Sequence, residues 1–191
     1  AREAADALDE AAGSVALVFQ RVDFIRRAAE LYLSSGHLEL GVAAARRALE
    51  HCGRTLSDSR TMAIFSFLWT DARIGMARFR IPKASEKKHD LHGDLEADVL
   101  WSLGVGLALV DSVQAAGLAN LALLHAAQLK DPQRMARALC AAAALASATG
   151  RFSRAEIMRV AFDRALDLAM DPTIRLYRQI ADLAHSFLCQ N

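Results

Sequence analysis

Apolar residues recur every three or four positions through two consecutive segments near the start of the chain, and this spacing predicts two amphipathic helices. The connection Ser34–His37 contains Gly36, a residue suited to the left-handed conformation in which helices often end. So short a connection predicts an antiparallel hairpin. The apolar positions are Phe24, Ala28, Leu31 and Tyr32 in the first helix and Val42, Ala45, Ala48 and Leu49 in the second.

The same spacing predicts a further helix from about residue 57 to 79, with Ser57 or Asp58 as its N-cap. We expect Trp69 on this helix, and Trp101 further along the chain, to lie in the core rather than to form ligand-stacking platforms. The residues that the pattern places on one face of the helix are Ile64, Phe65, Leu68, Trp69, Ala72 and Met76.

The remainder of the chain reads as more helices separated by short breaks. The pattern fails at about 80–93, where Ile81-Pro82 disfavours helix, and this is the one long loop predicted. The helix that follows Asp111 is apolar almost all round, so we expect it to be sandwiched between neighbours. The predicted helices are Glu3–Ala12, 94–110, 112–130, 132–150, one from Arg151 or Ser153, and one opened by Asp171-Pro172.

These elements predict an all-α fold, an α-solenoid of eight or nine helices arranged as antiparallel hairpins. The breaks at Gly or Asp-Pro are regularly spaced, and small residues at helix contacts allow the backbones to approach closely. We interpret 1–191 as a single helical-repeat segment of a longer chain, since it begins without Met. Its predicted hairpins are 14–53, 57–110 with the loop 80–93, 112–150 and 151–190.

Composition and charge narrow the function classes. The chain is 53% hydrophobic, and its 23 basic residues balance 22 acidic ones, so we expect no nucleic-acid partner and no anionic membrane partner. No apolar run approaches the roughly 20 residues of a membrane span. Cys52, Cys140 and Cys189 are scattered through apolar segments. They predict neither a disulfide framework nor a thiolate metal site, and they fit a reducing cytoplasm.

Catalytic motifs are missing from the sequence. It has no Gly-rich phosphate loop, no His-Arg-Asp string and no Gly-x-Ser-x-Gly elbow, which predicts a non-catalytic segment that holds no cofactor. One cluster around His89 and His92 has metal-ligand composition, with Glu86, Asp90 and Asp94 nearby. Structural zinc sites use a second ligand pair, so a solvated polar loop is the favoured interpretation and no metal site is predicted.

The first hairpin resembles a tetratricopeptide repeat. Ala28, Ala29 and Tyr32 stand in its first helix, Gly36 at the turn, and Gly41 and Ala48 in its second helix. The stretches 118–130 and 133–149 look like a divergent second unit, with Asp131 at the turn and Ala136 and Ala143 at the close crossings. This unit departs from the pattern at Ala127, where the family has an aromatic residue.

A second resemblance extends over most of the chain. Scattered short strings carry it: Arg26–Glu30, Leu33–Leu38, Leu68–Arg73, Arg78–Arg80, Asp98–Ser102, Gly106–Leu107, Val110–Asp111 and Arg134–Leu139. These strings are similar to the C-terminal helical-repeat region of large bacterial serine/threonine protein kinases, in which a kinase domain and a P-loop ATPase-like domain come before the repeats. This resemblance implies that any catalysis lies upstream.

The repeat resemblance implies a peptide-binding groove on the inner face of the first helix of each hairpin. For two of these residue pairs a simpler role stays open: Arg26 and Glu30 can pair with one another, and His125 and Gln128 can lie at the polar rim of a packed helix. The candidate groove residues are Asp23, Arg26, Glu30 and Leu33 on one helix and Leu118, Leu121, His125 and Gln128 on another.

The function expected from these features is protein binding. The partner is a protein or peptide, or the kinase or ATPase-like domain of the parent chain itself. One alternative is a structural spacer or self-association module, and another is a helical sensor region of a signalling ATPase or transcription regulator. A further alternative is an enzyme that uses the His89 and His92 loop with a metal ion.

Overall fold

A computed structural model describes residues 1–76, 90–108, 110–148 and 150–167, together with positions 176, 179, 182 and 186. Within these residues the regular secondary structure is entirely α-helical, which confirms the predicted all-α class. The helices are α1 (Arg2–Ser14), α2 (Val18–Ser34), α3 (Leu38–His51), α4 (Arg60–Met76), α5 (Leu91–Gly106), α6 (Ser112–Leu129), α7 (Pro132–Ala148) and α8 (Phe152–Leu166).

Helix α4 begins slightly later than predicted. The amide of Ala63 donates to the carbonyl oxygen of Ser59, which places Ser59 directly before the first helical turn. The two residues predicted as caps bond elsewhere: the Ser57 hydroxyl donates to the Ser59 carbonyl, and Asp58 pairs with Arg46 at 2.5 Å. The predicted N-terminus was therefore wrong by one or two residues, because three capping residue types occur in succession.

Helix α5 begins three residues before the predicted start and ends at Gly106 rather than near residue 110. Asp90 precedes its first residue, at a position where carboxylates are favoured at helix starts. The last part of the predicted loop 80–93 is thus helical. The rest of that loop, including Glu86 and His89, lies outside the described residues, as does most of the segment after Asp171-Pro172 for which a helix is predicted.

The chain forms two compact units, Ala1–Asp71 with Leu91–Leu118 and Ala72–Asp90 with Ala119–Asn191. In the first unit α2 is the central helix and packs against α1, α3 and α5. Gly36 takes the predicted left-handed conformation, with φ of 82°, in the turn between α2 and α3. Its amide donates to the Leu33 carbonyl, and the amide of His37 donates to the Tyr32 carbonyl, so the hairpin turns where the sequence predicts.

Small residues allow close packing in this unit, as the repeat pattern predicts. Ala28, Ala29 and Ala48 are fully buried. A Cβ atom added at Gly41 of α3 would lie 2.6 Å from Leu33 Cγ, and one added at Gly106 of α5 would lie 2.9 Å from Leu33 Cδ1. The Leu33 side chain therefore occupies space that two glycines leave open.

In the second unit α7 packs against α8. Asp131 caps α7: its Oδ1 accepts hydrogen bonds from the amides of Gln133 and Arg134, and its Oδ2 pairs with the Arg134 guanidinium at 2.7 Å. Gly150, with φ of 71°, lies in the turn between the two helices. The core of this hairpin includes Met135, Ala136, Leu139, Ala143, Ala155, Met158, Phe162 and Ala165.

Candidate functional site

The predicted groove residues of α2 form a half-buried charged cluster around Arg26. The Arg26 guanidinium donates to Asp23 Oδ1 at 2.6 Å, to Glu30 Oε1 at 2.6 Å and to the Ser102 hydroxyl of α5 at 2.9 Å. Burial alone would lower the pKa of Arg26, but the hydrogen bond to Asp23 and the charges of Glu30 and Asp98 raise it above its ordinary value. The predicted pairing of Arg26 with Glu30 is present, and α5 packs beside it.

Leu33, the fourth groove residue of α2, is buried, with only 8% of its side chain exposed, and it packs beside Gly41 and Gly106. Since α5 packs on the face that carries Arg26 and Leu33, that face is not an open surface in the first unit. The polar groups of this face form hydrogen bonds within the chain. The bond from Arg26 to Ser102 helps to hold α2 against α5.

The predicted groove residues of α6 differ from one another in exposure. Leu118 is buried, Leu121 and His125 are half-buried, and Gln128 is exposed. As expected for a helix that is apolar almost all round, α6 is covered over most of its surface. Its buried apolar residues are Ala115, Ala116, Leu118, Ala119, Ala122, Leu123, Ala126 and Leu129.

Helix α4 has an exposed apolar surface, and the sequence pattern places three of its four residues on one face of the helix. The expectation that Trp69 is a core residue was wrong, because its side chain is 59% exposed. The α4 apolar surface, as we define it, lies within the first unit, and its members are between 57% and 65% exposed. They are Met62, Phe65, Leu68 and Trp69.

The buried face of α4 carries both small and large side chains, and its members include Ala63, Thr70 and Ile74. Ala63 and Thr70, seven residues apart and so on one side of the helix, are both buried. The Thr70 hydroxyl donates to the carbonyls of Ser66 and Phe67 in its own helix, which satisfies it locally. One signal could have revealed the exposed surface: residues 61–70 contain no charge, so apolar side chains occur on both sides of the helix.

A second open feature lies in the second unit, where α8 and the last turns of α4 border a groove of about 700 Å³. We call it the α8 groove. The sequence pattern does not predict it, because the α8 residues that line it mix apolar and charged side chains. Among the described residues its lining includes Ile74, Gly75, Ser153, Arg154, Glu156, Ile157, Met158, Val160, Ala161 and Arg164.

The cysteines that the structure describes are poor nucleophiles. Burial, together with the charge of Glu96, raises the pKa of Cys52 to about 11. Burial and the charge of Asp182 raise the pKa of Cys140 to about 12. Because the thiolate is the reactive form, both thiols are unreactive at neutral pH. Their burial agrees with the structural role that their apolar surroundings predict.

His92, from the predicted metal-ligand cluster, is exposed and lines a hollow of about 250 Å³ with His51 and Cys52. Within the described part of the chain no three His, Cys, Asp or Glu side chains lie where they could hold a metal ion. His89 and Glu86 fall in the undescribed stretch. No helix in the described ranges combines the length and apolar character needed to cross a bilayer.

Comparison with known proteins gives no match: no family model, curated protein or solved structure is similar to the chain.

Proposed function

We propose that this chain is a non-catalytic protein-interaction segment and that the α4 apolar surface is where a protein partner binds. The observation that carries the proposal is the exposure of Phe65, Leu68 and Trp69, three large apolar side chains side by side on one helix. A helix that is apolar on most sides is normally covered by its neighbours, and α6 is covered over most of its surface. Residues 61–70 of α4 also contain no charge, yet Phe65, Leu68 and Trp69 are more than half exposed.

The size and composition of the surface fit a binding site. Four large side chains that are each more than half exposed present on the order of 500 Å² of apolar surface, near the upper limit for a monomer. A specific interface of standard size buries roughly 800 Å² per partner, so this surface is large enough to form its central part. Trp is among the residues that contribute most to binding energy at interfaces.

The resemblance to helical-repeat regions of bacterial serine/threonine protein kinases supports a signalling context in the cytoplasm. In this proposal the partner is a separate protein or another domain of the same polypeptide, and binding at α4 biases the activity of that domain. The hairpin of α2 and α3, with Leu33 packed over Gly41, supports the tetratricopeptide-like part of the proposal.

Site-specific photo-crosslinking in the host cell tests the proposal. A benzophenone amino acid replaces Leu68 in the natural polypeptide, and the matched control carries the same probe at Ala43, an exposed position on α3. We expect light-dependent adducts at position 68 that are absent at position 43. Mass spectrometry of the adduct distinguishes a separate protein, a domain of the same polypeptide and a second copy of this chain.

The crosslinked protein is then purified and its affinity measured directly. We expect the double variant Phe65→Ser, Trp69→Ser to weaken binding by at least about tenfold, whereas Phe19→Ser, at an exposed apolar position on α2, leaves it unchanged. Equal binding by the double variant would refute the proposed site. Adducts made only with a second copy would instead establish the self-association alternative.

A further inference from the structure

Helix α1 is held in the first unit by little buried apolar surface. Both of its buried side chains are alanines, Ala5 and Ala12, and Leu8 between them is half-buried. The smallest apolar side chains contribute least to the free energy of burial. An element with so little buried apolar surface opens at a lower free energy than the core of its domain. Helix α1 can therefore leave α2 while α2, α3 and α5 stay packed.

Two polar contacts fix where α1 lies. Asp6 accepts a hydrogen bond from the Tyr32 hydroxyl of α2 at 2.5 Å, and Asp9 pairs with the Arg47 guanidinium of α3 at 2.7 Å. Asp6 lies near the start of α1 and Tyr32 near the end of α2, so the two helices are antiparallel. The α1 helix of a second copy, placed in the same position, would make the same two contacts.

The connection between α1 and α2 is only three residues long, Val15–Leu17, and we call it the hinge. Val15 and Leu17 have extended backbones, with ψ of 128° and 117°. The Arg21 guanidinium donates to the Val15 carbonyl oxygen at 2.8 Å, a bond that opening of the hinge would break. Three extended residues span about 10 Å. An α1 that swings outward can therefore reach only a second copy whose own hinge lies beside it.

The residues at the end of the hinge are apolar and exposed. The exposed fraction is 51% for Leu17, 59% for Val18 and 51% for Phe19. Contiguous exposed apolar residues mark an interaction surface, whereas isolated ones do not. In a two-fold symmetric pair the same residues of both copies meet at the axis. Two hinges that lie side by side would therefore bring these three residues of one copy against the same three of the other.

We propose that two copies of this chain exchange α1 and form a swapped dimer. Each α1 would pack on α2 and α3 of the other copy, and the two hinges would pack together at the two-fold axis. The contacts of α1 are the same before and after the exchange, so the hinge interface is what the dimer gains. The occupant is a second copy because only a second copy supplies both this α1 and the surface that α1 leaves. The α4 apolar surface plays no part in the exchange, so either proposal can fail while the other stands.

Charge reversal tests the exchange in the 191-residue chain. Asp9→Arg and Arg47→Asp each place like charges where α1 meets α3, and a mixed swapped dimer of the two variants restores opposite charges at both contacts. In native mass spectrometry of an equimolar mixture we expect about tenfold more mixed dimer than either homodimer. A mixed dimer in its statistical share, or no dimer, would overturn the proposal.

The matched control is the ion pair of Arg46 and Asp58, at 2.5 Å, which joins two parts of one copy that do not exchange. A mixture of Arg46→Asp and Asp58→Arg should contain the mixed dimer only in its statistical share. Enrichment in this control would mean that the charges act between copies without exchange of α1, and the proposal would be wrong. The side chains of both pairs are at least 28% exposed, so far-UV circular dichroism of the variants should match the wild type.

Hinge variants give a second measurement that changes no charge. Inserting about four glycine and serine residues between Ala16 and Leu17 lets α1 fold back freely, and we expect it to lower the dimer association constant about tenfold in sedimentation. Leu17→Ser, Val18→Ser should lower it about fivefold by weakening the hinge interface. Unchanged association in both variants overturns the proposal. If Phe65→Ser, Trp69→Ser dissociates the dimer instead, the copies associate through the α4 apolar surface and do not exchange α1.

Discussion

In the first unit, charged side chains of α2 lie half-buried beside α5, whereas the largest apolar side chains of α4 lie in solvent. Arg26 is held by two carboxylates and the Ser102 hydroxyl, while Trp69 is 59% exposed. Both arrangements reverse what the residue types would suggest on their own. Burial therefore follows from which neighbour packs on a face. A polar face can be covered when its groups pair with one another, and an apolar face is exposed where no neighbour covers it.

Truncating a leucine in α2 and a leucine in α4 should give the largest difference in the free energy of unfolding. We expect Leu33→Ala on α2 to lower the free energy of unfolding by about 3 kcal/mol, since it empties the space beside Gly41 and Gly106. Leu68→Ala on α4 should cost less than about 0.5 kcal/mol, because its side chain is already in water. Urea unfolding followed by circular dichroism measures both. Equal losses would mean that α4 is covered in solution.

Breaking the charged cluster around Arg26 should give the next largest loss of stability. Arg26→Ala should destabilise the protein by about 2–3 kcal/mol, because it leaves Asp23 and Glu30 partly buried without their shared cation. Arg27 is the matched control: it pairs with Asp23 at 2.9 Å, yet its side chain is 55% exposed. Arg27→Ala should cost less than about 1 kcal/mol. If the two variants unfold at the same urea concentration, the cluster is not what holds α2 against α5.

A pair of glycine substitutions tests the close packing around α2. Gly41→Ala should destabilise the protein by about 1–2 kcal/mol, because the added Cβ meets Leu33 at 2.6 Å and α2 and α3 must separate. Gly117→Ala, inside α6 with no atom of the described residues within 4 Å of the added Cβ, should stabilise it by about 0.5–1 kcal/mol through helix propensity. Thermal unfolding decides the sign of each change. A stabilising Gly41→Ala would show that the contact with Leu33 is loose.

Removing the hydrogen bond between α2 and α1 should give the smallest loss of stability. The Tyr32 hydroxyl donates a part-buried hydrogen bond to Asp6 at 2.5 Å, and this bond, with partial burial, raises the pKa of Tyr32 to about 12 from an ordinary value of 10. The stabilisation is complete below about pH 10 and is lost as the pH rises through about 12, because only the protonated phenol donates. Tyr32→Phe should cost about 1 kcal/mol at neutral pH. The difference in unfolding free energy from wild type should disappear above about pH 12, and a constant difference would assign the cost to packing.

Much of the architecture could be predicted from local patterns. The helices α6 and α7 begin and end close to their predicted positions, and the turn between α2 and α3 lies at Gly36 as predicted, because Gly36, Asp111 and Asp131 are capping or turn residues whose effect is local. The predicted helix boundaries were less accurate where the sequence has no single clear capping or turn residue. Helix α4 begins after three successive capping residue types, and α5 begins inside a stretch whose pattern predicts a loop.

The groove implied by the repeat resemblance stays a prediction, and local patterns do not show which helix faces are covered. The residues implied by the repeat resemblance include Leu33, which is buried, and Arg26, which bonds to α5. The α4 apolar surface consists mainly of residues that helical spacing groups correctly on one face. Spacing cannot say which of two apolar faces turns inward, because the opposite side, with Ala63, Thr70 and Ile74, can also pack closely.

Periodicity, capping and glycine conformation act over a few neighbouring residues, and for that reason the all-α class, most helix boundaries and the small residues at the closest crossings follow from the amino-acid sequence. Three properties depend instead on the packed chain: the covered charged face of α2, the exposed large apolar side chains of α4 and the open groove beside α8. They arise from contacts between residues far apart in the chain, such as Arg26 with Ser102, and from the helix faces that are left without a neighbour.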